Sequence, residues 1–174
     1  MAEVSKFRRG DPTEESTYIG PLTRAPQLKV LEAQVKDAVK KGAKILAGGR
    51  RAKGKGNWFE PTVLVDVNHS MDVMRDESFG PIIGIMPARN DAEALKLMND
   101  SEYGLTAGVY TNDRKRAEKI LAGVSSGSVY WNCCDRVSPR LPWSGVGNSG
   151  IGLTLSTYGI ETFTRPKAWH LKAG

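Results

Sequence analysis

Residues 106–132 read TAGVYTNDRKRAEKILAGVSSGSVYWN, and the order of elements within them decides the fold. TAGVYTN and GSVYWN are short runs of the residue types that suit a pleated strand. Between them DRKRAEKILAGV reads as a helix, with Asp113 placed to cap its first turn. Two strands joined by a helix of about 10 to 12 residues need a crossover connection, so the pair is parallel and the class is α/β.

The same alternation extends outward. Upstream, IIGIMPA is a strand and NDAEALKLMND a helix that Asn90 or Asp91 can cap. Before these, Pro26 opens PQLKVLEAQVKDAVKKG, where Leu28, Leu31, Val35, Ala38 and Val39 recur at helical spacing and Gly42 supplies the stop. AKILAG and FEPTVLVDV are strand-like runs, with Pro61 near the start of the second. The basic loop GGRRAKGKGNW between them predicts a hairpin tip. Downstream, periodicity is lost from Cys133 to Gly152; LTLSTYGIETF then reads as a short helix and RPKAWHL as a final strand with Pro166 at its start.

Composition sets outer bounds. At 174 residues the chain can bury a real core, and one domain is the expectation from length. The net charge of +6 comes mostly from Lys6–Arg9, Lys36–Lys55 and Arg165–Lys172. That scatter, with 7% aromatic residues, argues against a nucleic-acid surface and is compatible with an acidic small molecule or a dinucleotide. Two adjacent cysteines cannot make a disulfide framework and suggest a reducing, cytoplasmic setting. Neither an apolar run of about 18 residues nor a charged-then-apolar leader is seen, so membrane insertion and secretion are not expected.

The loop from Cys133 to Gly152 follows the carboxyl end of a strand, where open α/β sheets gather their ligands. Within it Gly145, Gly147 and Gly150 have the glycine spacing of a dinucleotide fingerprint. The context differs: no strand directly precedes them, and His170 stands where the ribose-binding acid belongs. Tight turning explains these glycines better. Asp135 beside Cys133 and Cys134 disfavours a thiolate there, and His69 and His170 lack ligand or triad spacing, so no metal site is expected.

DESFGPIIG at 76–84 sets a carboxylate, Glu77, and a ring, Phe79, before a Gly80-Pro81 break and a buried-strand run. Such a turn can bring both side chains to the edge of a sheet.

Six ordered blocks then carry a resemblance: IGPL at 19–22, FEPTVL at 59–64, ESFGPI at 77–82, NDSEYGLTAGVYTND at 99–113, SGSVYWN at 126–132 and PWSGVGNSGIG at 142–152. From about Gly10 to Leu171 the chain resembles the carboxyl-terminal portion of the aldehyde dehydrogenase superfamily. The resemblance implies a mostly parallel sheet with helical crossovers, an incomplete catalytic domain over residues 1–160, and an oligomerisation strand over 161–174. It also implies oxidation of an aldehyde to an acid with NAD or NADP, through a cysteine nucleophile and a glutamate-activated water.

By the same resemblance Glu77 accepts hydrogen bonds from the ribose hydroxyls beside the nicotinamide, and Phe79 packs near the nicotinamide. Asp135, Val137 and Trp143 become candidate substrate contacts. The family's catalytic cysteine, general base and dinucleotide-binding half match no residue of this chain, so the isolated chain is expected to be inactive. Trp143 replaces the usual phenylalanine, Gly147 the usual lysine, and Leu153-Thr154 an expected Arg-Glu pair. Residues 165–171 are expected to join a neighbouring subunit, which makes the protein a homo-oligomer. The other reading is a non-catalytic module that associates with a full-length relative.

Overall fold

The computed structural model describes residues 1–133 and 136–174. Where length alone points to one domain, the chain divides into two compact units, Met1–Ala88 and Arg89–Gly174.

The first unit is a three-stranded sheet backed by a long helix. Helix α1 (Ala25–Lys40) starts with Pro26 in its first turn and stops before Gly42, whose φ of +105° favours glycine. Its buried face is Leu28, Leu31, Gln34, Val35 and Ala38. Val39, expected on that face, is 45% exposed because it lies one residue beyond the stripe. Strand β1 (Lys44–Ala47) pairs antiparallel with β2 (Thr62–Val65), as the hairpin reading requires. Strand β3 (Ile82–Ile85) lies parallel to β2, with Thr62 opposite Ile82 and Val65 opposite Ile85.

The one-turn helix α2 (Asp72–Arg75) occupies the crossover from β2 to β3. Two apolar clusters fill this unit. Leu28, Leu31, Val35 and Phe59 form one; Ala38, Ala43, Leu64, Val67 and Met71 form the other, and Ile82 packs against both.

In the second unit α3 (Asp91–Met98) is capped by Asn90, whose side chain accepts from the Glu93 amide at 2.9 Å. Helix α4 (Arg114–Leu121) is capped by Asp113, which accepts from the Arg116 amide at 3.0 Å. Between β5 (Thr106–Val109) and β6 (Ser128–Trp131) α4 makes the expected parallel crossover, with Thr106 opposite Ser128 and Val109 opposite Trp131.

The stretch without periodicity is ordered by a pairing that no period signals. Strand β4 (Tyr103–Gly104) runs antiparallel to β7 (Val146–Gly147), and Trp143 and Thr154 exchange backbone hydrogen bonds at 2.8 and 2.9 Å. Helix α5 is confined to Ser156–Glu161. The terminal strand expected over RPKAWHL does not form: residues 165–174 take no regular structure and are all exposed. A strand exists only by pairing, and no described segment of this chain pairs with it.

Candidate functional site

In the first unit, the carboxyl side of α2 leads into residues 76–81, which return the chain to β3. Three contacts fix this turn. Gln27 of α1 donates its Nε2–H to the Ser78 carbonyl at 2.5 Å, the Thr62 amide donates to the Pro81 carbonyl at 2.8 Å, and the Ile82 amide donates to the Gly80 carbonyl at 2.8 Å. Gly80 packs so tightly on α1 that a Cβ there would lie 2.5 Å from Leu31 Cδ1. Phe79 adopts φ +46°, a left-handed conformation uncommon for a bulky side chain, and the residue is 77% exposed.

The turn thereby presents Glu77 and Phe79 to one pocket of about 460 Å³, whose other walls are Pro21, Leu22, Thr23, Arg24 and Gln27. That volume suits part of a cofactor or a small ligand. The Glu77 carboxylate has no hydrogen bond or ion pair to another described residue, so both of its oxygens remain able to accept from vicinal hydroxyls. Among the described residues Arg24 is the one cation lining the pocket. These residues fit the ribose and nicotinamide end of a dinucleotide: an acceptor for the hydroxyls, an aromatic face for a flat ring.

Sequence reasoning singled out Glu77 and Phe79 and missed Arg24 and Gln27. The available signal was the IGPL block and Pro26, which together start α1 beside the turn.

The second unit holds the remaining candidates. Trp143 is half-buried and lines a pocket of about 350 Å³ with Leu105, Ser144, Ser149, Leu153 and Thr154 among others. Val137 is 55% exposed on the preceding segment and does not line it. Asp135 and Cys134 lie outside the described residues. Cys133 is a free, half-buried thiol.

No helix opens directly after the glycines of GVGNSG. Instead they let backbones approach: Gly147 has φ +58°, and a Cβ there would fall 2.3 Å from the Glu102 carbonyl oxygen. Among the described residues no cluster of His, Cys, Asp and Glu could hold a metal ion, and no helix is long and apolar enough to cross a membrane.

Comparison with known proteins shows the family. The family model described as "Aldehyde dehydrogenase family" matches residues 1–169. Succinate-semialdehyde dehydrogenase [NADP(+)] of Deinococcus radiodurans is 39% identical over 163 residues, which is 94% of this chain and 34% of that protein. Among solved structures, Gox0499 superposes with a TM-score of 0.92 at 37% identity, over 98% of this chain and 38% of its own. Betaine aldehyde dehydrogenase from Staphylococcus aureus in complex with NAD+ superposes with a TM-score of 0.88 at 31% identity, over 93% of this chain and 33% of its own. The chain thus spans about a third of the length of the curated relatives it matches. It belongs to the aldehyde dehydrogenase family.

Proposed function

We propose that residues 1–160 supply part of the catalytic domain of an NAD(P)-dependent aldehyde dehydrogenase that oxidises an aldehyde to a carboxylic acid. Residues 161–174 supply its subunit-joining segment. The observation that carries the reading is the shared pocket of Glu77 and Phe79, held against α1 by the Gln27 contact. NAD or NADP, when bound, would supply the hydride acceptor for the oxidation. Glu77 would accept hydrogen bonds from the ribose hydroxyls and so fix the sugar, while Phe79 would limit where the attached ring can lie. The Gln27 and Pro81 hydrogen bonds keep the turn from drifting, which matters because small misplacements of a reacting ring reduce rate steeply. Trp143, Val137 and Asp135 are assigned to the aldehyde's approach, and the cytoplasm is the setting that the cysteine usage suits.

The test is a chimera in which residues 1–174 replace the matching third of the Deinococcus radiodurans enzyme. It should reduce NADP+ in the presence of succinate semialdehyde, whereas the 174-residue chain alone should not. Glu77→Gln in the chimera should lower kcat about tenfold or more, the scale of one charge-assisted hydrogen bond, with the melting temperature unchanged. An active chimera in which Glu77→Gln leaves kcat and KM for NADP+ untouched overturns the assignment of Glu77.

A second reading has its own support. Ile151, Phe163, Leu171 and Trp169 are 99%, 92%, 80% and 71% exposed, apolar side chains that a partner surface would cover. It favours a module that docks on a full-length relative without chemistry of its own. An inactive chimera, together with stable co-purification of the chain with the intact relative, would favour that reading.

A further inference from the structure

Away from the Glu77 pocket, the tip of the β1–β2 hairpin gathers more positive charge than the acids among the described residues pair with. Arg50, Arg51, Lys53 and Lys55 follow one another there. Only Arg51 has a partner, through Nε and Nη2 to the Glu32 carboxylate at 2.6 and 2.7 Å; Arg50, Lys53 and Lys55 pair with no acid among the described residues. The tip is not loose. The Ala52 amide donates to the Trp58 carbonyl at 3.0 Å, and the Trp58 indole N–H donates to the Lys55 carbonyl at 3.0 Å, which locks the ring. Gly56, at φ +121°, is required by this fold-back, since a Cβ there would sit 2.9 Å from the indole nitrogen.

Arg9 reaches the same ring, its guanidinium carbon 6.0 Å from the centroid. The guanidinium is also 3.5 Å from Glu60, the one acid paired with it among the described residues. Arg9, Gly10, Lys53 and Trp58 line a shallow, open recess of about 200 Å³. That is below the roughly 300 Å³ at which sites for drug-sized ligands begin, and two of the four walls are cations.

We infer that this recess is an anion site for a phosphate group, either inorganic phosphate or the phosphate of a small organic monoester. A guanidinium offers paired N–H donors in the geometry of a phosphate edge. Glu60 fixes Arg9 from one side and leaves its remaining donors free. Lys53 supplies the charge that Glu60 does not cancel, and Arg50 and Lys55 beside it raise the local concentration of anions. The site owes nothing to the Glu77 pocket and does not depend on the assignment made there.

The experiment follows the Trp58 indole N–H resonance of the full 174-residue chain during titration with inorganic phosphate, with phenyl phosphate, and with sodium chloride at matched ionic strength. A saturable shift with either phosphate and none with chloride supports the site. Tighter binding of phenyl phosphate points to an organic monoester as the ligand, and equal binding points to free phosphate. The Arg9→Gln/Lys53→Gln double variant should weaken binding about tenfold or more while the remaining amide resonances stay in place. A linear shift shared by chloride, or a saturable one that survives in the double variant, overturns the proposal.

Discussion

Gln27 on α1 and Ser78, fifty-one residues later, are joined by a side-chain-to-backbone hydrogen bond of 2.5 Å, and this bond ties the turn bearing Glu77 and Phe79 to the hydrophobic core. Gln27→Leu removes the donor and leaves a part-buried carbonyl without its partner. The chain should lose about 1 kcal/mol, and amide exchange should accelerate at Ser78, Phe79 and Gly80 well beyond the change at Val63 or Leu64. Uniform acceleration across the unit would mean that the contact stabilises the fold without guiding the turn.

Phe79 offers a test in the opposite direction. It holds a left-handed backbone at φ +46° with its ring mostly in solvent, so the ring contributes little to folding while the backbone is disfavoured by about 1 to 2 kcal/mol. Phe79→Gly should leave the melting temperature unchanged or raise it slightly, because the added freedom of the unfolded chain offsets part of the relief. In the chimera the same change should raise KM for NADP+. A clear fall in melting temperature would show that the ring packs on the protein.

Gln34 is a third case. It lies on the buried face of α1, 4% exposed, and neither amide atom meets a hydrogen-bonding partner among the described residues. Replacing an unpaired buried amide with an apolar side chain of similar length removes its desolvation penalty. Gln34→Met should therefore stabilise the chain by about 1 kcal/mol or more, read from the denaturant midpoint at constant slope.

The Asp37–Lys41 contact predicts a pH dependence. Lys41 lies 2.8 Å from Asp37 and the Asp72 amide 3.0 Å from it, and these two donors, Lys41 first, hold the Asp37 carboxyl below its ordinary value of 3.8. A depressed folded pKa contributes stability that is complete above 3.8 and disappears as pH falls through the lowered value. Lys41, raised above 10.5 chiefly by the same bond, gives stability that is lost only as pH rises through its raised value. Melting temperatures of the wild-type chain and Asp37→Asn should thus differ by a constant amount from about pH 5 to 9 and converge below 3.8. Parallel curves down to pH 2 would show that the carboxylate's charge plays no part.

Most of the fold was legible because its signals are local. The periodic face of α1, the caps Asn90 and Asp113, and the β5–α4–β6 crossover each follow from neighbours in sequence. The rest depends on distant partners. The one-turn helix α2 has no cap of its own and uses Asp37 from α1. Strands β4 and β7 are two residues each, too short to show a period. At the candidate site, Glu77 and Phe79 were found through the ordered blocks, whereas Gln27 acts through a backbone carbonyl and leaves no trace in the residue types around Ser78.

The carboxyl-terminal segment gives the last prediction. Trp169 and Leu171 are exposed in a stretch without regular structure, and Lys167 lies 5.1 Å from the Trp169 ring. Unpaired backbone beside apolar side chains favours pairing with another chain. The 174-residue protein should self-associate at about 100 μM, a range in which exposed surfaces aggregate, and deletion of residues 165–174 should shift it toward monomer in light scattering. A monodisperse monomer before deletion would end the oligomerisation assignment.

Helix α1 contributes to both apolar clusters and also grips the turn, through Leu31 against Gly80 and Gln27 against Ser78. The position of the Glu77 carboxylate is therefore calibrated from inside the protein. A change of size at Leu28 or Phe59, neither of which lines the pocket, would roll the helix and re-aim the acid, so the shape of the pocket can be altered by interior substitutions that leave every wall residue as it is.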